Sequence, residues 1–325
     1  MAPKAWENRV GRRVRLRDLH ILSAVVQWGS MAKAAKHLSM TQPAVSDAVA
    51  TLEDALRVRL LDRTSKGVEP TIYANALLKR GHVIFDELRQ GIRDIEFLAN
   101  PTVGEVHVGC SETLMTGFLP AVIDRLSRRY PQIVVHAVNV QPSATEYRQL
   151  RDREVDLMLG RIFEPLSHDD IHTEILFEDR YLVVAGAASP WARRRKITLA
   201  ELVNEPWIDM PQTSIFGSFL TAAFFAHGLP VPRKSVLSFS HHLRHELLAT
   251  GRFLTIVAGS ALEANAERWN LKALPIGLTI HPHSVAAFTL KQRTVSPVVE
   301  LFIEHVREVA RSMTKDGQTF SSHNR

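Results

Sequence analysis

The stretch TQPAVSDAVATLEDAL, at positions 41–56, places small hydrogen-bonding side chains at the start of an amphipathic helix. Thr41 is a good N-cap, and Pro43 is acceptable in a first helical turn. The outward side of these turns carries short polar residues, namely Gln42, Ser46 and Asp47. A major groove about 12 Å wide admits a helix with a slim leading face, and Gln can pair with adenine. These residue types suit the reading of DNA bases, and an ordinary capped helix with a solvated face is the alternative.

Predicted elements on both sides position that stretch. Before it, apolar residues at helical spacing over 16–26 predict a first helix, and Ser30 caps a second, MAKAAKHL. After it, short apolar runs flank a Ser-Lys-Gly turn at 65–67, which predicts a small hairpin. Arg63 and Lys66 in this hairpin are expected to contact DNA phosphates, which add affinity without sequence information. A solvated ion pair with Asp62 is the alternative for both side chains.

A long helix is predicted from Thr71 to about Leu98, where apolar residues recur at helical spacing. A helix of about 27 residues spans roughly 40 Å, which is too long to pack wholly on a small domain. We expect this helix to act as a linker and to pair with a second copy of the chain. The residues assigned to that dimer seam are Ile84, Leu88 and Ile92.

Beyond Pro101, short β-rich runs alternate with helical segments, which predicts an α/β architecture of two lobes with a cleft between them. GCSET at 109–113 and PQTSIFGS at 211–218 place polar residues at one helix start in each lobe, where free N–H groups can bind polar or anionic ligands. Arg161 follows the strand VDLML and is expected to pair with an anionic ligand or with Glu164. The candidate ligand-binding residues are Ser111, Glu112, Arg161, Thr213 and Ser214.

Glu112 leaves the class of ligand open. If its carboxylate faces the cleft, it repels an anion and favours a sugar-like hydroxylated ligand. If it faces outward, it complements the dipole of its own helix. Each Ser or Thr of the candidate set is also a plain N-cap, which is the alternative for any one of them alone.

Composition narrows the class of protein. With 45% apolar residues, a chain of 325 residues can bury the cores of two or three domains. The first 100 residues carry 16 Lys and Arg against 11 Asp and Glu, and the rest carries 24 against 23, so the basic excess accompanies the DNA-reading stretch. No apolar run approaches the roughly 20 residues that span a bilayer, so we expect a cytoplasmic protein without membrane contact. The lone Cys110 is expected to be a buried apolar residue.

Two other classes of protein compete with a DNA-binding protein. In HHLRHE, His241 and His245 lie four residues apart on one helix face, a spacing that zinc enzymes use. The sequence offers no evident third ligand, so a metal-free histidine-rich helix that includes His242 is the favoured interpretation, and no bound metal is expected. A solute-binding protein is the other rival, and it leaves residues 1–70 without a purpose.

Taken together, these segments resemble the LysR-type bacterial transcriptional regulators. The resemblance is carried by LRDLHILSAVVQWGSMAKAAKHLSMTQPAVSDAVATLEDAL and LLDRTSKGVEPT, and more weakly by GEVHVG, VDLMLG, EPWIDMP and LLATGRFLTIV. It implies a winged helix-turn-helix in 1–70, a linker and dimerisation helix in 71–100, and an effector-binding domain in 101–325. Arg57 stands where the family usually has glycine, which leaves the local turn geometry open.

The resemblance also implies how the effector-binding domain is built. It predicts two Rossmann-like lobes that resemble type 2 periplasmic binding proteins. The expected bounds are about 101–161 and 275–313 for lobe I and about 162–274 for lobe II.

The function that follows is sequence-specific DNA binding by a transcriptional regulator, without enzymatic activity or a cofactor. A small polar or anionic metabolite is expected to bind between the lobes and to alter promoter binding through the linker helix. A dimer or tetramer matches a pseudo-palindromic DNA site, because two copies present two recognition helices. RNA polymerase is a further candidate partner.

Overall fold

The computed structural model describes residues 13–64, 67–140, 147–162, 168–211 and 219–321. The chain divides into two compact units, Met1–Gly91 and Ile92–Arg325. Within the described residues, no helix combines the length and the apolar composition that crossing a lipid bilayer requires.

The first unit begins with three helices, α1 (Leu16–Trp28), α2 (Met31–His37) and α3 (Gln42–Leu56). Gly29 ends α1 with a left-handed φ of 61°, and the Ser30 hydroxyl accepts a hydrogen bond of 3.5 Å from the Lys33 amide. The buried face of α3 consists of Val45, Ala48, Val49, Leu52 and Ala55. The predicted helix-turn-helix is confirmed.

A two-stranded hairpin, here called the wing, follows α3. Its strands β1 (Leu61–Thr64) and β2 (Gly67–Pro70) are antiparallel, as predicted. The Glu53 carboxylate accepts hydrogen bonds from the backbone amides of Leu60 at 2.7 Å and Leu61 at 3.3 Å. Gly67 has a φ of 136°, and a Cβ atom there would collide with the Gly29 carbonyl oxygen, so only glycine fits this position.

The long helix α4 spans Ile72–Ala99 and differs from the predicted bounds by one residue at each end. The Thr71 hydroxyl caps it by accepting a hydrogen bond of 3.3 Å from the Ala74 amide. The helix leaves a set of large apolar side chains exposed, which includes Ile84, Leu88, Ile92, Ile95 and Leu98.

Short strands alternate with helices through the second unit. The strands are β3 (Val103–Cys110), β4 (Gln132–Asn139), β5 (Leu157–Arg161), β6 (Ile171–Asp179), β7 (Tyr181–Gly186), β8 (Trp207–Asp209), β9 (Lys234–Leu237), β10 (Leu254–Ala258), β11 (Leu271–Ala273) and β12 (His283–Leu290). The α-helices are α5 (Glu112–Met115), α6 (Phe118–Arg129), α7 (Arg148–Arg151), α8 (Phe219–Ala226), α9 (His241–Ala249), α10 (Gly259–Glu263) and α11 (Pro297–Ser321).

The strands form two five-stranded mixed sheets, one in each lobe, which confirms the predicted two-lobed α/β architecture. The first sheet has the order β4-β3-β5-β12-β6, with β3 parallel to both β4 and β5. Its main core includes Phe118 and Leu126 of α6 and Phe302 of α11. The second sheet has the order β11-β7-β10-β8-β9, and its core includes Trp207, whose indole N–H donates to the Leu202 carbonyl at 2.9 Å.

The division between the lobes differs from the predicted one. Strand β6 (Ile171–Asp179) was expected in lobe II, but it pairs along its length with β12 and completes the edge of the first sheet. Phe177 of this strand belongs to the first core, so burial of that side chain favours the pairing. The first lobe therefore continues to Asp179 rather than ending near 161.

Candidate nucleic-acid interface and effector site

The first turns of α3 expose the side chains that the sequence assigned to base reading. Thr41 caps the helix by accepting a hydrogen bond of 3.4 Å from the Ala44 amide. Gln42, Pro43 and Asp47 are exposed, and Ser46 is half-buried. This part of the helix therefore presents a narrow polar ridge, because Val45, Ala48 and Val49 are buried against the core.

A groove of about 570 Å³ runs beside this ridge, and the sequence interpretation missed its three arginines. Arg13, Arg15 and Arg17 line it together with Asp18, Asp47 and Asp54. All three arginines are exposed. Guanidinium groups are suited to phosphate oxygens, and phosphate contacts position a protein on DNA. Their close spacing in GRRVRLRDL was the available sequence signal.

Arg63 and Lys66 are the two wing residues that the sequence assigned to phosphate contacts. Arg63 lies in β1, where its backbone pairs with Val68. Lys66 lies outside the described residues. The predicted phosphate contacts of both side chains therefore stay predictions.

The residues assigned to the dimer seam are exposed on α4. The exposed fractions are 44% for Ile84, 49% for Leu88 and 52% for Ile92. Such apolar exposure along one helix is costly in water unless another surface covers it.

In the second unit, Ser111 and Glu112 lie where β3 ends and α5 begins. The Ser111 hydroxyl is buried and makes no cap, and it has no hydrogen-bond partner in the part of the chain that the structure describes. The Glu112 carboxylate accepts a hydrogen bond of 3.1 Å from the His241 amide at the start of α9. Glu112 thus caps a helix of the second lobe, a role that neither of its two predicted orientations included.

Arg161 is already paired with an acidic side chain that the sequence interpretation did not name. Its guanidinium forms a very short ion pair with Asp179, and the exposed fractions of the two side chains are 6% and 2%. Asp179 also accepts hydrogen bonds from the Ser260 hydroxyl at 2.6 Å and the Ser260 amide at 3.0 Å. Neither predicted partner, an anionic ligand nor Glu164, is needed to neutralise this cation, and Glu164 lies outside the described residues. Arg161 Nε keeps no partner among those residues.

Further polar groups surround Arg161, and the sequence interpretation missed two of them. Burial raises the pKa of Tyr181 and lowers the pKa of His283, and the Arg161 charge acts on both groups. The Tyr181 hydroxyl is buried without a partner among the described residues, and its ring stacks on Phe219 at 4.1 Å between centroids. Ser111 in the first lobe and Tyr181 in the second thus each carry a buried hydroxyl without a partner among the described residues, as Arg161 carries such an N–H.

Thr213 and Ser214, which were predicted to complete this cleft from the second lobe, lie outside the described residues. Their place in the ligand site stays a prediction.

Cys110 is buried, and burial raises the pKa of its thiol to about 12. The thiol is therefore protonated at neutral pH, whereas a reactive cysteine is a thiolate at that pH. A redox role for this residue is disfavoured, in line with the apolar role expected from the sequence.

The histidine-rich helix α9 engages its side chains in contacts within the second unit. His241 Nε2 lies 3.2 Å from the Thr113 hydroxyl, and the His245 ring stacks on Trp269 at 3.5 Å between centroids. Burial lowers the pKa of His241 to about 3 and that of His245 to about 4. Among the described side chains, no third candidate ligand joins these two histidines in a metal-binding arrangement.

Comparison with known protein families covers most of the chain. Residues 16–74 match the bacterial regulatory helix-turn-helix protein family of the lysR type, and residues 99–311 match the LysR substrate binding domain. The two matched segments coincide with the helix-turn-helix unit and with the two-lobed unit.

Individual relatives agree with these matches. The transcriptional regulator GbpR of Azospirillum brasilense is 27% identical over 88% of this chain and 83% of its own length. The crystal structure of CbnR, a LysR family transcriptional regulator, has a TM-score of 0.52 at 22% identity and covers 90% of this chain and 100% of its own. A full-length variant of OxyR from Pseudomonas aeruginosa has a TM-score of 0.60 at 20% identity and covers 92% and 95% of the two chains.

Proposed function

The chain belongs to the LysR family of bacterial DNA-binding transcriptional regulators, and from this premise we propose that α3 reads the DNA sequence while the inter-lobe cleft binds a small polar effector. Relatives of this kind are regulators and not enzymes. We further propose that the effector alters promoter binding through α4, which continues from the first unit into the second.

The exposed polar ridge at the start of α3 carries the DNA-binding part of this proposal. Gln42 is exposed one residue after the N-cap, and the N-terminal residues of a recognition helix are those that reach base edges. Arg13, Arg15 and Arg17 line the adjacent groove and supply positive charge for phosphates. We include Arg63 and Lys66 of the wing in the same surface.

A second copy of the chain is the proposed cover for the apolar side of α4. A C2 pairing places the same residues of both helices against each other and gives two reading helices for one DNA site. We propose a dimer, or a tetramer of two dimers, that recognises a pseudo-palindromic sequence, with RNA polymerase as a further partner at the promoter. Because its target is the bacterial chromosome, the proposed place of action is the cytoplasm.

The proposed effector is a small molecule rich in hydrogen-bond acceptors. Ser111 and Tyr181 offer buried hydroxyls, and Arg161 Nε offers one buried N–H. Since Asp179 already neutralises Arg161, the ligand need not carry a full negative charge. We include Thr213 and Ser214 in this site and assign Glu112 the role of joining the lobes beside it.

Selection from a random-sequence DNA pool by the purified full-length protein tests the reading function. We expect enrichment of a two-fold symmetric site whose half-sites lie about one helical turn, or a multiple of it, apart. Replacing Ser46 by Ala should change the preferred bases within each half-site without abolishing symmetry. Enrichment of no common sequence would reject sequence-specific reading by this chain.

The effector part is tested by measuring thermal stabilisation of the full-length protein in the presence of fractionated metabolite pools, because a ligand that binds only the folded state raises the melting temperature. A stabilising fraction should act less on Ser111→Ala than on the wild type. An equal stabilisation of both proteins would place the ligand outside this cleft.

A further inference from the structure

A cluster of metal-ligand side chains lies on the first sheet of the second unit, away from the residues assigned to the effector. Glu105 and His107 are two residues apart on β3, so their side chains leave the same face of the strand. His136 lies directly opposite His107 on the adjacent parallel strand β4. Among the described residues, these three side chains form the one group of three or more His, Cys, Asp and Glu residues that could hold a metal ion.

The atoms of this cluster are close enough for one ion. One ligand atom from each side chain lies within 4.8 Å of the other two, and Glu105 Oε2 is 3.7 Å from His136 Nε2. Ligands at 2.0 to 2.2 Å around a tetrahedral ion are about 3.4 Å apart. The side chains therefore need to approach one another by no more than about 1.4 Å, which rotation about their χ angles supplies.

The two imidazole rings must turn relative to each other for this closure. They now stack at 4.4 Å between centroids with an interplanar angle of 7°. Parallel rings keep their nitrogen lone pairs in two parallel planes, whereas the lone pairs of two ligands must point at one ion. His136 is 44% exposed and lies on the edge strand β4, so its ring has room to tilt.

Buried groups prepare His107 for metal binding. Asp156 accepts a hydrogen bond of 2.8 Å from the His107 amide, and the same carboxylate oxygen lies 3.6 Å from His107 Nδ1. Asp156 is itself held by Arg293 at 3.0 Å.

We propose that Glu105, His107 and His136 bind one divalent transition-metal ion, with Zn²⁺ as the best match, and that water completes its coordination. Two imidazoles and one carboxylate form a ligand set that zinc accepts with an open position. Asp156 acts as a positioning residue for His107, as carboxylates beside metal-bound histidines do.

Arg93 is the competitor for this site. Its guanidinium lies 3.7 Å from Glu105, with exposed fractions of 31% and 50% for the two side chains. An exposed ion pair of this kind is weak, so a divalent ion can displace Arg93 and bind the Glu105 carboxylate. Zinc binding would free Arg93, a residue near the end of α4, from its contact with Glu105.

Calorimetric titration of Zn²⁺ into tag-free, chelator-washed full-length protein tests the proposal. We expect one equivalent of zinc per chain at this site, and binding weakened roughly tenfold or more in His136→Ala and in Glu105→Gln. Both side chains are at least 44% exposed, so these variants should keep the melting temperature of the metal-free wild type. Arg93→Gln should bind zinc more tightly than the wild type, because it removes the competing cation.

Two controls separate this site from the other histidines. His242→Ala and His245→Ala on α9 should leave the zinc affinity unchanged. Titration with Co²⁺ should give the visible absorption of a low-coordinate site in the wild type and lose it in His136→Ala. The proposal is overturned if the wild type takes up no saturable zinc at micromolar concentrations. It is equally overturned if uptake survives in both His136→Ala and Glu105→Gln, or if it is lost in His245→Ala instead.

Discussion

The first turns of α3 expose Thr41, Gln42 and Asp47 to solvent, whereas Arg161 and Asp179 in the second unit are almost completely buried. The proposed reading surface comes from one continuous stretch of chain, and its shape follows from helical period and capping. The proposed effector site combines the ends of β3, β5, β6 and α9, which lie far apart in sequence. Removing a side chain from the exposed surface should lower the free energy of unfolding only slightly. Removing one from the buried site should lower it much more.

The largest effect expected from this contrast is at the buried ion pair. Asp179→Ala leaves the Arg161 cation buried without its partner and should lower the free energy of unfolding by about 3 to 5 kcal/mol. The matched control is Asp170→Ala, which removes the carboxylate of an Arg151–Asp170 pair whose side chains are 34% and 39% exposed. That loss should be about 1 kcal/mol or less. Urea unfolding followed by circular dichroism measures both, and equal losses would contradict the contrast.

The next effect tests whether the exposed side of α4 is an interface. Ile84→Glu with Leu88→Glu places four carboxylates in a paired seam and should weaken dimerisation at least a hundredfold, about 3 kcal/mol. Sedimentation of the full-length protein measures this. The control is Phe225→Glu, which changes an apolar side chain of α8 that is 81% exposed. Because Phe225 lies outside the proposed seam, this variant should sediment as the wild type, and a double variant that stays dimeric would exclude the seam.

Base reading by α3 should be separable from stability. Gln42→Ala should weaken binding to the selected DNA site by about 1 to 3 kcal/mol and leave binding to random DNA nearly unchanged. Lys66→Ala should weaken binding to both and lower the salt slope by about one unit. Fluorescence anisotropy at several salt concentrations measures these affinities. If Gln42→Ala keeps both affinity and base preference, α3 does not read bases through this residue.

The same contrast explains what the sequence could predict. Thr41, the apolar period of α3 and the turn before Gly67 act within a few residues, so local pattern indicated the helix and the wing. The partner of Arg161 could not be found this way. Glu164 is near in sequence, but Asp179 reaches Arg161 because β12 pairs with both β5 and β6. Such pairing depends on strand register between distant segments, which no local pattern encodes, and Tyr181 and His283 escaped prediction for that reason.

Burial in the second unit should also appear in the pH dependence of stability. The pKa of His241 is lowered to about 3, against about 6.5 in an unfolded chain. Below pH 6.5 the unfolded state therefore binds a proton that the folded state refuses, so stability falls as the pH falls. Between pH 7 and pH 5 this group should account for a loss of about 2 kcal/mol.

Unfolding measured at both pH values in His241→Gln should show a smaller loss than in the wild type. His242→Gln is the matched control, because His242 is exposed and meets water in both states. If His241→Gln keeps the full pH dependence of the wild type, His241 is not the group that resists protonation.

The smallest expected change in stability is at the end of α3, in the first unit. Arg57 has a left-handed φ of 57° at the position where the resemblance expects glycine. This conformation destabilises a residue with a Cβ atom by roughly 1 to 2 kcal/mol. Glycine avoids that strain, but its greater freedom in the unfolded chain offsets part of the stabilisation. Arg57→Gly should therefore raise the free energy of unfolding by about 0.5 to 1 kcal/mol.

Arg57→Ala separates backbone strain from the loss of the arginine charge, because alanine keeps the Cβ atom and removes the guanidinium. Its stability in urea should stay close to that of the wild type. A stabilisation of equal size in both variants would assign the effect to the loss of the arginine charge. In that case the left-handed backbone of Arg57 would not limit the stability at the end of α3.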